Sequence, residues 1–76
     1  MRKTYEEQVS EFSFDIAEER LMEKQSPGYE KVLDLRDIAR RLSTVYDMPF
    51  SVVVDGLEDG VRKYTRIIKN RSTLGK

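Results

Sequence analysis

Cysteine, histidine and tryptophan are all missing from this 76-residue chain. Without cysteine there is no disulfide and no thiolate metal site. Without histidine, zinc, haem and copper lose their usual ligand, and proton transfer near neutral pH loses its usual side chain. No apolar run approaches the ~20 residues of a membrane span. Met1 to Glu7 is polar and carries two glutamates, unlike the apolar core of a signal peptide. A cytoplasmic location with no membrane contact is the expectation. Proline is scarce as well, and its two positions, Ser26-Pro27-Gly28 and Met48-Pro49, are the strongest element boundaries.

What is present is charge. Charged residues make up 37% of the chain and apolar residues 38%, with a mean hydropathy of −0.64. That is wet for a globular chain but not disordered in composition. The length allows a single domain over 1–76, with frayed ends expected at 1–3 and 71–76. A domain of this size buries roughly 60% of its unfolded surface, so a homo-oligomer, most simply a homodimer, is the expected aid to stability.

The boundaries leave three segments, read as an all-α bundle with helices at about 4–24, 34–47 and 49–70. Thr4 and Glu7 have the spacing of a capping box. Tyr5, Val9, Phe12 and Ile16 then line one face, widened by Phe14, Ala17 and Leu21. Phe12 to Ile16 also alternates with period two, as a strand would, but good helix formers follow from Ala17 to Lys24. Residues 29–33 read equally as a short extended stretch or an early helical turn. Asp34 suits an N-cap ahead of Leu35, Ile38, Ala39, Leu42 and Val45.

The third segment holds the cleanest period. Phe50, Val54, Leu57, Val61, Tyr64 and Ile68 follow one another at steps of four and three, a seam for a neighbouring helix or a second copy. A β-hairpin competes here, because Val52-Val53-Val54 is β-branched and Asp55-Gly56 and Asp59-Gly60 are turn signals. In a helix, Gly56 and Gly60 cost ~1 kcal/mol each relative to alanine, a cost explained by close approach of another helix or subunit.

The zero net charge conceals a gradient. Residues 1–30 carry net −4, residues 31–60 net −2 and residues 61–76 net +6. The acidic run from Asp55 to Gly60 fails as an EF-hand, since its third position is Leu57 and its twelfth is Arg66. Glu18, Glu19 and Glu23 lie beside Arg20 and Lys24 and read as ordinary surface pairs. Ser43 and Thr44 have no histidine to activate them, and no Gly-rich phosphate loop is present. A non-enzymatic protein follows, with no catalytic residue, metal or cofactor expected.

The remaining chemistry is basic. Arg62, Arg66 and Lys69 share one helical ridge, Lys63 and Arg71 extend it, and Arg40 and Arg41 join if the second and third helices lie side by side. Such a ridge is suited to phosphate contact. The apolar rhythm from Leu35 to Tyr64 resembles the helix pairs of helix-turn-helix, ribbon-helix-helix and histone-like HU proteins, though Tyr46-Asp47-Met48-Pro49 stands where a helix-turn-helix usually has glycine. That resemblance implies a small DNA-binding regulator of transcription. A protein-interaction module, an inhibitor or assembly subunit docking through its helical surfaces, is the alternative.

Overall fold

The computed structural model describes residues 3–26, 28 and 33–74, with side chains described through Arg71. Within these residues the chain forms α1 (Tyr5–Gln25), α2 (Leu35–Tyr46) and α3 (Phe50–Leu74). No strand occurs among the described residues. The expected extended stretch at 29–33 falls, except for Leu33, outside them.

Local chemistry sets the helix starts. The Thr4 hydroxyl accepts from the Glu7 N–H at 3.2 Å, and the Glu7 carboxylate accepts from the Thr4 N–H at 3.2 Å, which completes the capping box. The Asp34 carboxylate accepts from the Arg36 N–H at 3.0 Å and caps α2. α2 ends at Asp47, whose backbone is left-handed (φ 53°, ψ 51°). Aspartate tolerates that conformation better than most residues. The Met48 N–H donates to the Ser43 carbonyl at 3.1 Å, and the Ser43 hydroxyl donates to the Met48 carbonyl at 2.5 Å. This closed turn reverses the chain just before Pro49, whose carbonyl accepts from Val53 N–H in the first turn of α3.

The helices run up, down and up. Gly56 lies against Tyr5 and Val9, Gly60 against Ser13, and Tyr64 against Ser10 and Phe14, so α3 climbs in the same direction as α1. α2 descends between their levels, from Leu33 bonded to Glu19 down to Tyr46 packed on Tyr5. At 25 residues α3 is about 37 Å long, which accounts for most of the 42 Å long dimension. With 12 residues, or about 18 Å, α2 covers only the lower part of the α1–α3 pair.

The core is Ile16 and Ala17 from α1, Ile38, Ala39 and Leu42 from α2, and Val53, Leu57 and Val61 from α3. α3 is the helix that packs against both others, whereas α1 packs chiefly on α3 and touches α2 only lightly. Phe14 and Leu21 stay half-buried at the margin of the core. The Phe14 and Tyr64 rings meet edge-on at 5.5 Å. α3 differs from the expected seam in one respect. Phe50 is 41% exposed, and Val53 occupies the buried position instead. Gly60 faces Ser13 and Gly56 faces Val9, a register that sets the start of α1 level with about residue 52 and leaves Phe50 roughly 3 Å below it, past the end of that helix. The turn signals at Asp55-Gly56 and Asp59-Gly60 lie inside continuous helix. Burial of Val53, Leu57 and Val61, worth about 1.5–3 kcal/mol for each large side chain, outweighs the local preferences. α3 also continues to Leu74, one turn past the expected end near 70.

Candidate nucleic-acid interface

α3 turns its core residues inward and leaves an outer stripe whose charge changes sign along its length. Asp55, Glu58 and Asp59 come first, then Arg62, Arg66 and Lys69, all exposed. The change falls within one turn, where Arg62 holds Asp59 at 2.7 Å. That pair is about three-quarters exposed on both sides, so water screens it and its contribution to stability is small. Lys63 lies on the far edge of the stripe, its ammonium 5.7 Å from the Tyr64 ring centroid. Arg71, in the last turn, is exposed.

Arg40 and Arg41 are not brought to this surface. Both point outward from α2, and Arg40 faces Asp37 at 3.8 Å. Leu35 is level with Arg20 and Glu58 around one crevice, and α2 descends from there. Arg40 therefore lies roughly 20 Å along the bundle axis from Arg66. Two other residues take their place. Arg20 and Lys24, in the last two turns of α1, line a groove of about 300 Å³ together with Leu21, Val61, Arg62, Thr65 and Lys69. A second groove of about 500 Å³, lined by Glu18, Leu21, Met22, Lys24, Gln25, Ile68 and Lys69, adjoins it.

Arg20 and Lys24 escape a reading by segment because they sit within the net-acidic first thirty residues. The signal lies in topology. Three helices joined by short connections run up, down and up, so the C-terminal ends of the first and third share a pole. The same topology shows how this pole can meet an anion. The N-termini of α1 and α3 lie at the opposite pole, and the Arg36 N–H at the start of α2 is already taken by Asp34. An anion in the groove is therefore met by Arg20, Lys24, Arg62 and Lys69 rather than by the N-termini of α1 and α3.

The opposite pole is tied down by polar contacts. Lys3 bonds both Glu11 carboxylate oxygens, at 2.6 and 2.7 Å, and the Tyr46 hydroxyl donates to the Lys3 carbonyl at 3.0 Å. The Glu11 hydrogen bond pushes the Lys3 ammonium above its usual range. Its favourable charge is thus complete at neutral pH and is lost only at alkaline pH beyond the ordinary lysine value. Burial likewise pushes the Tyr5 phenol up.

Among the described residues, no group of three or more acidic side chains is arranged to hold a metal ion, and no helix is long and apolar enough to cross a membrane. Comparisons of the chain with protein-family models, curated proteins and solved structures yield no match.

Proposed function

We propose that the protein is a small non-enzymatic DNA-binding regulator that contacts phosphates through the basic end of α3. The observation carrying this reading is the pole itself: Arg62 and Lys69 on α3 share a groove with Arg20 and Lys24 on α1, Arg66 and Arg71 are exposed on the same half of α3, and the acidic half of the α3 stripe lies away along the helix. Side chains of this kind position a protein on the sugar-phosphate backbone and carry no base code of their own. Neutralising about four to six phosphates makes affinity fall steeply with salt, with a slope near −0.9 per phosphate on duplex DNA. The test is a titration of fluorescent duplex DNA at 50 and 200 mM salt. Binding at the lower concentration that weakens at least a hundredfold at the higher supports the reading; no binding at 50 mM salt ends it.

A second reading has its own observation. At the other pole Val45 in α2 and Phe50 and Val52 in α3 are 65%, 41% and 46% exposed. Apolar side chains around the α2–α3 turn suit a protein-protein contact, including a homo-oligomeric one, and leave the basic pole free. A concentration series of molar mass in solution, with Phe50→Ser alongside the unaltered chain, tests it. Monomer at every concentration removes the homo-oligomeric form.

A further inference from the structure

Arg20 and Lys24 are one helical turn apart on α1, and Arg62 and Lys69 are two turns apart on α3. Between them lies the groove of about 300 Å³, lined also by Leu21, Val61 and Thr65. An exposed cation on a convex helix meets a phosphate from one side only. Here cations on two elements converge on one concavity, so that a phosphate seated in it meets positive charge from two sides. No residue of α2 lines this groove.

We propose that this groove is a phosphate-binding site in its own right, with Arg20 and Lys24 of α1 closing on the phosphate from the side opposite Arg62 and Lys69. The Thr65 hydroxyl supplies a neutral donor to a phosphate oxygen, and Arg62 exchanges its exposed bond to Asp59 for the phosphate. Arg66 and Arg71, outside the groove, contact neighbouring phosphates. The ligand class is a phosphate chain, either the backbone of duplex DNA or a free polyphosphate anion. The DNA form of this inference rests on the function proposed above; the polyphosphate form does not.

Two paired substitutions separate the possibilities. Arg20→Gln with Lys24→Gln removes the α1 side of the groove; Arg66→Gln with Arg71→Gln removes cations outside it. All these side chains are exposed, and circular dichroism verifies that the helices persist. Each variant and the unaltered chain is titrated with duplex DNA across a salt series and, by calorimetry, with inorganic tripolyphosphate. The α1 pair is expected to lower the salt slope by about two and DNA affinity at 50 mM salt on the order of tenfold. Should the α1 pair bind DNA and tripolyphosphate like the unaltered chain while the α3 pair weakens DNA binding, the groove is overturned and DNA binding stands. Should DNA fail to bind while tripolyphosphate binds the unaltered chain and not the α1 pair, the groove stands with a free polyphosphate as its ligand and DNA binding falls. Failure of both ligands to bind the unaltered chain removes both.

Discussion

Ser13 and Gly60 meet where α1 crosses α3, and a Cβ added to Gly60 would sit 2.6 Å from the Ser13 Cβ. Ser13 is fully buried, and its hydroxyl donates to the Leu57 carbonyl at 3.4 Å. The two small residues bring the helices close, so the glycine that weakens α3 locally is needed globally. Gly60→Ala is expected to destabilise the fold by about 1–3 kcal/mol through overpacking, although alanine is the better helix former. Denaturant titration measures it. Adding Ser13→Gly should recover part of the loss, and a double-mutant cycle with no coupling would show that the crossing is not the cause.

Gly56 behaves differently. A Cβ there would lie 3.8 Å from the Tyr5 hydroxyl and from Val9 Cγ1, ordinary contact distances. Gly56→Ala is therefore expected to stabilise the protein by up to about 1 kcal/mol, the helix-propensity gain alone. A lower thermal midpoint for this variant would contradict the packing described at this level of the bundle.

Tyr64 joins α3 to α1 twice, through its hydrogen bond with the Ser10 hydroxyl and its edge-on contact with Phe14. Tyr64→Phe retains the ring and removes the hydroxyl. A loss of about 0.5–1.5 kcal/mol is expected in chemical denaturation, with helical content unchanged. Tyr64→Ala should cost more, since it removes the ring contact as well.

The capping residues predict effects confined to helix starts. Thr4→Ala breaks the capping box of α1 and Asp34→Ala uncaps α2, each expected to cost about 1 kcal/mol. Thr4→Ser and Asp34→Asn should restore most of the loss. Equal stability of the alanine and wild-type chains would show that these ends fray regardless of the cap.

Much of this architecture is legible residue by residue. Thr4 with Glu7, and Asp34 ahead of Leu35, mark helix starts because capping is a local event and depends on few neighbours. The Val54-Leu57-Val61-Tyr64-Ile68 period survives in α3 because its spacing matches one helical face. Phe50 is misread because periodicity says which face a residue occupies and not how far the neighbouring helix extends. The hairpin signals at Gly56 and Gly60 mislead because both glycines lie inside continuous helix: Gly60 marks the close crossing with Ser13, whereas Gly56, with room for a Cβ, marks neither a turn nor a close approach. In the basic surface, Arg62, Arg66 and Lys69 are visible as a ridge along one segment. Arg20 and Lys24 are not, since their proximity to that ridge comes from the parallel course of α1 and α3. Arg40 and Arg41 fail to join it because α2 runs the other way.

The basic pole is tested most directly by backbone amide shifts of isotopically labelled protein during addition of a short DNA duplex at 50 mM salt. Progressive shifts at residues 20–25 and 62–71, with α2 and the α2–α3 turn unmoved, are the expected result. Shifts centred instead on Val45, Phe50 and Val52, or none at saturating duplex, would contradict it.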